Sequence, residues 1–289
     1  MRRSVRALLA GLLIVAGCSA AAPTVTPGRP LPFASTPGPA STSPGSPAAS
    51  RPPAVPLTIF GAASLKPVLD EARAAWEAAT PGSRLTIATD SSATLAAQIE
   101  LGAPADVFLS ADAASPRRLV DKGLVAGHIV PFATNRLTII VPAGNPAGVR
   151  SAADLARPGL RIIAAGATVP ITGYATQVVD RIAAEPGAPA GFAAAYAANI
   201  RSREDNVRAV VAKIELGEGD AAIVYLTDAR GTSKVASVEL PDRINVLVTY
   251  AGVVVRASQR VAAAGAFLDW IAGPAGQAIL VRYGFLPPG

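Results

Sequence analysis

The chain holds one cysteine, one histidine and one methionine in 289 residues, with few aromatic (5%) and few charged residues (16%). A single cysteine excludes a disulfide framework and a cysteine-based zinc cluster. A single histidine excludes histidine-rich metal sites and leaves one imidazole for general-base chemistry. The formal net charge is +6, but Arg2, Arg3 and Arg6 crowd part of it into the first six residues. Without them the balance is about +3, which is no footprint for a nucleic-acid partner. Apolar residues are abundant instead, at 51%. The length suits two medium lobes or one large α/β domain with a sizeable core.

Met1 to Arg6 is basic and Ala7 to Gly17 is apolar, the order of a secretory leader over residues 1–17. That apolar stretch is too short to span a bilayer. Val15-Ala16-Gly17-Cys18 resembles the lipobox of bacterial lipoproteins, which implies lipidation at Cys18. An ordinary leader cleaved near Ala20-Ala21-Ala22 is the alternative. Residues 18–56 are then dominated by Pro, Ser, Thr, Gly and Ala. Such a segment has too little large apolar surface to offset its ordering entropy, so a disordered tether is expected. Its reach is about 35 Å as a coil and over about 100 Å if polyproline-like.

From Leu57 onward, strand and helix patterns alternate. Leu57 to Phe60, Leu85 to Ala88, Val107 to Leu109, Leu137 to Val141, Arg161 to Ala165 and Ala221 to Tyr225 read as strands. Helices are expected up to Ala79, over Thr94 to Leu101, from Ser115 to Gly123, over Val207 to Leu216, Ser258 to Ile271 and Pro274 to Arg282. This alternation predicts an α/β fold with largely parallel sheets. Several strands end in small or hydroxylic residues where a helix begins: Ser64, Ser91-Ser92, Val169 to Thr172, and Asp205 to Val207. Helix starts expose unpaired N–H groups and a partial positive charge. Singly, each serine reads as a cap; gathered in one crevice, such ends form an anion site without Lys or Arg.

At these residues the sequence resembles the periplasmic molybdate-binding proteins of ABC transporters, the ModA family. The stretches that carry the likeness are Phe60 to Leu65, Ser91 to Ile99, Gly102 to Asp112, Glu204 to Arg208, Gly217 to Ala229 and Tyr283 to Phe285. The resemblance implies a two-lobed periplasmic-binding-protein type II fold with crossing hinge strands and a central ligand cleft. Lobe 1 would hold residues 57–135 and 256–289, and lobe 2 residues 136–255. Carried over by motif, Ser64 and Ser92 would bind the oxyanion through hydroxyl and nearby amide hydrogens. Ile171 and Val207 would do so through backbone N–H groups, and Tyr225 through its phenol. Molybdenum would enter only as molybdate, with tungstate as a second ligand and no cofactor. A membrane permease would be the partner of a monomeric, exported protein anchored outside the cell membrane. Two positions depart from the family pattern. Asp90 would set a carboxylate beside the anion, and Thr172, where Gly is common, would offer another hydroxyl or shift its loop.

Other chemistry is thinly represented. His128 reads as a loop residue, and no G-x-S-x-G elbow precedes a helix. A secreted hydrolase using Ser64 or Ser92 would need a base within hydrogen-bond reach. Asp106, Asp112, Asp220 and Asp228 read as caps and loop ties. Sulfate or another tetrahedral oxyanion remains an alternative ligand, as does a receptor that has lost binding.

Overall fold

The computed structural model describes residues 55–288, so the leader, Cys18 and nearly all of the expected tether lie outside the described residues. In chain order the elements are β1 (Pro56–Ala62), α1 (Lys66–Ala79), β2 (Arg84–Asp90), α2 (Ser92–Glu100), β3 (Val107–Ser110), α3 (Ala114–Asp121), β4 (Val125–Asn135) and β5 (Leu137–Pro142). Then come β6 (Ile162–Ala165), α4 (Pro170–Ala183), α5 (Phe192–Asn199), β7 (Ile200–Glu204), α6 (Val207–Glu215), β8 (Ala222–Tyr225) and α7 (Leu226–Arg230). β9 (Val235–Val238), β10 (Val248–Val255), α8 (Val261–Ala272) and α9 (Pro274–Arg282) close the chain.

The first lobe is built on a five-stranded sheet of order β2-β1-β3-β10-β4. Successive side chains of a strand point to opposite faces, and both faces here are covered. Val107 and Leu109 join the core that includes Trp76, Phe267 and Leu268, whereas Phe60 and Phe108 pack with Leu95, Ile99 and Leu119 on the other side. Helix α1 buries Val68, Leu69, Ala72 and Trp76, one stripe at helical spacing. Gly61 lets that helix approach closely, since a Cβ there would stand 2.2 Å from Leu69 Cδ1.

The second lobe contains the sheet β8-β5-β9 and the pair β6-β7, joined by a parallel bridge between Ile162 and Ala221. The parallel expectation holds for β1 with β2 and β3, and for β6 with β7. It fails at β10, antiparallel to both β3 and β4, and at β5, antiparallel to β8 and β9. At β10 the physical reason is that β4 and β10 are crossing strands: one leaves the large sheet and the other returns to it. Residues 248–255, expected in lobe 2, therefore hydrogen-bond within the large sheet. His128 sits exposed within β4 rather than in a loop. No single helix among the described residues is long and apolar enough to cross a membrane.

Candidate functional site

Four strand ends deliver helix starts to the crevice between the lobes. β1 runs into a short 3-10 turn at Ala63–Leu65, β2 into α2, β6 leads to α4 and β7 to α6. Sequence sets each junction. Ser91 caps α2, its Oγ accepting from Thr94 N–H at 3.1 Å. Asn206 caps α6, its Oδ1 accepting from Ala209 N–H at 3.1 Å. Pro170 occupies the first turn of α4, where its missing N–H costs nothing.

The structure brings Ser64, Ser92, Ile171, Val207 and Tyr225 to one small cavity of about 10 Å3, open at its mouth. Helix position dictates what Ile171 and Val207 present: first-turn amides have no carbonyl four residues back to receive them. Tyr225 is 1% exposed, and its phenol oxygen has no hydrogen-bond partner among the described residues. Burial pushes its pKa far above the ordinary value, so it stays a donor. Ser92 Oγ accepts from Ala111 N–H at 3.0 Å, which occupies a lone pair and leaves its own proton for the cavity. Among the described residues, neither a lysine, an arginine nor a carboxylate lines the wall.

The two departures resolve differently from expectation. Asp90 does not line the cavity. Its Oδ1 accepts from Ser91 N–H at 2.7 Å and from Asn206 Nδ2 at 3.2 Å, so the carboxylate is turned to the cleft edge. Thr172 offers no hydroxyl to the cavity: it donates within its own turn, with the Gly166 carbonyl at 2.8 Å and that of Ala165 at 3.1 Å. Asp112 acts as a tie, accepting from Ser115 N–H at 2.8 Å. Asp106 likewise accepts from Thr58 N–H at 2.7 Å.

Behind the cavity lies a polar cluster that sequence reasoning missed. Ser64 Oγ is 2.9 Å from Tyr250 Oη, and Asn135 Nδ2 reaches both Tyr250 Oη (3.4 Å) and Thr227 Oγ1 (2.9 Å). Asp228 is buried nearby, and burial pushes its carboxyl up to about 7, against Arg208 and the Tyr225 backbone N–H. A polar Asn135 ending one apolar strand and a phenol inside another were the only signals available.

Comparison with known proteins gives the family and the fold. Residues 57–286 match the family described as bacterial extracellular solute-binding protein. The molybdate-binding protein ModA of Mycobacterium tuberculosis is 36% identical over 250 residues, covering 86% of this chain and 91% of that protein. Two solved structures share the fold. The periplasmic molybdate-binding protein of Azotobacter vinelandii has a TM-score of 0.67 at 23% identity, over 81% of this chain and 100% of its own. The sulfate-binding protein SubI of M. tuberculosis has a TM-score of 0.71 at 24% identity, over 81% and 87%. With a family match spanning the whole strand-and-helix module, the chain belongs to the bacterial extracellular solute-binding proteins.

Proposed function

We propose that the protein captures molybdate, and tungstate with it, in the cleft between its lobes and delivers it to an ABC importer. The observation that carries this reading is the cavity wall, which is made of helix starts and the serines Ser64, Ser91 and Ser92 and has, among the described residues, no ionisable side chain besides the protonated Tyr225. A buried tetrahedral dianion must exchange its hydration shell for donors. Fixed neutral dipoles supply them, each bond to the charged ligand contributing roughly 1.5–3 kcal/mol. Ser64, Ser92, Ile171, Val207 and Tyr225 are the proposed contacts. The 36% identity to a mycobacterial ModA supports molybdate over sulfate.

In the same reading Cys18 carries the lipid, residues 18–56 hold the module off the membrane, and the protein works as a monomer. Lobe 1 is proposed as residues 57–135 with the strand and helices from 248 onward, and lobe 2 as the segment between them. Catalysis by either serine has no support: His128 is on the exposed part of β4 and does not line the cavity. The test is calorimetric titration of the folded protein with molybdate, tungstate, sulfate and phosphate. One-to-one binding of the first two alone is expected, whereas tight sulfate binding would reassign the ligand and keep the receptor.

A further inference from the structure

Hydroxyl groups are ambiguous: each can donate or accept, and a receptor for a proton-free anion gains only from donation. In this protein the ambiguity at Ser64 is removed from outside the cavity. Asn135 Oδ1 accepts the Arg136 backbone N–H at 2.9 Å. A backbone N–H never accepts, so the side-chain amide is fixed in one orientation, with both Nδ2 hydrogens on the far side. One goes to Thr227 Oγ1 at 2.9 Å, the other to Tyr250 Oη at 3.4 Å, the longest link. With its oxygen receiving that hydrogen, the Tyr250 phenol directs its own proton to Ser64 Oγ, 2.9 Å away. Burial holds the phenol protonated. Ser64 is then left with one proton and one open direction, the cavity. On the same first-lobe wall the Ala111 N–H does the same to Ser92 in a single step.

We propose that Asn135 and Tyr250 are positioning residues that fix the Ser64 hydroxyl as a donor and so set the receptor's selectivity for oxyanions that carry no proton. This rests on the oxyanion-binding reading above. Hydrogen phosphate brings a donor of its own and needs an acceptor in the wall; a Ser64 free to turn would provide one. A molybdate ion needs donors only. Polarity is transmitted along the chain because each bond strengthens the next. Turning Ser64 round would require the Asn135 amide to flip, setting its Nδ2 against the Arg136 N–H.

Asn135→Asp tests this by reversing the chain with little change of shape. The carboxylate still accepts from Arg136 N–H, but it now also accepts from the Tyr250 phenol. Tyr250 Oη then accepts a hydrogen bond from the Ser64 hydroxyl, and Ser64 shows the cavity a lone pair. Molybdate and phosphate affinities are measured by calorimetry at about pH 8, where phosphate is a dianion with one proton. Because both ligands carry the same charge, the repulsion from the new carboxylate cancels in their ratio. The molybdate-to-phosphate ratio is expected to fall about tenfold to a hundredfold. Tyr250→Phe, which releases Ser64 without adding charge, should lower the ratio in the same direction by a smaller factor. It carries the test alone if Asn135→Asp does not fold. An unchanged ratio in the folded variants, with wild type binding molybdate, overturns the role of the relay. Wild type that binds no oxyanion removes the premise instead, a result read before any variant is made.

Discussion

Asn206 Nδ2 donates to Asp90 Oδ1 at 3.2 Å, joining the cap of a second-lobe helix to the end of a first-lobe strand across the mouth of the cleft. The contact exists only while the lobes are together, so it favours closure. Asn206→Asp keeps an oxygen to cap α6 but sets two carboxylates face to face. Oxyanion affinity should fall by about tenfold or more, with thermal stability nearly unchanged. Small-angle scattering of the ligand-free variant should show a larger radius of gyration than wild type, and equal affinities would remove the latch.

Tyr225→Phe separates binding from folding. The phenol oxygen is buried without a partner among the described residues, so its loss should leave ligand-free stability equal or slightly higher. Affinity should drop by roughly 1–3 kcal/mol. Melting curves with and without molybdate check both halves, and an unchanged ligand-induced shift would take Tyr225 off the contact set.

Ser92→Ala should differ from it by weakening stability as well as affinity. The hydroxyl holds the Ala111 N–H in a buried position, and its removal orphans that donor at a cost of roughly 1–3 kcal/mol. The same substitution removes a proposed ligand donor. Chemical denaturation and titration of one preparation read the two losses together; retained stability would mean the Ala111 amide has another acceptor.

Asp228 gives a pH dependence with a definite sign. Its carboxyl ionises near 3.8 when exposed in an unfolded chain and at about 7 when folded. Between those values the folded state holds a proton that the unfolded state has released. Stability from this group therefore falls as pH rises through that window, and the loss is complete above it. Asp228→Asn should match wild type near pH 4 and exceed it near pH 8 by up to roughly 4 kcal/mol. Urea unfolding at the two pH values checks this, and a difference that does not vary with pH would refute it.

Sequence patterning revealed the cavity better than what supports it. Ser64, Ser92, Ile171, Val207 and Tyr225 all stand where a strand pattern meets a helix start, a local signal. The Ser64–Tyr250 and Asn135–Tyr250 pairs span 186 and 115 residues, and Asp90–Asn206 spans 116. Such partners are chosen by tertiary packing, and no spacing announces them. The strand-helix alternation led to parallel sheets because it says nothing of a strand that returns from the other lobe. The Thr172 hydroxyl is turned from the cavity for a related reason: a hydroxyl in the first turn of a helix has carbonyls of its own loop within reach, and here it uses them.

The place of β10 between β3 and β4 has a consequence for the order in which the molecule can assemble. As the polypeptide emerges, β1, β2 and β3 can pair at once, but β4 has no neighbour in that sheet until a strand about 115 residues later arrives. Its last turn of wiring comes later still, when the Leu286 backbone pairs with Thr134. The second lobe, by contrast, is one uninterrupted stretch of chain. Closing the large sheet is thus a late, long-range event, which slows folding and keeps a nascent chain threadable until its final helices are made.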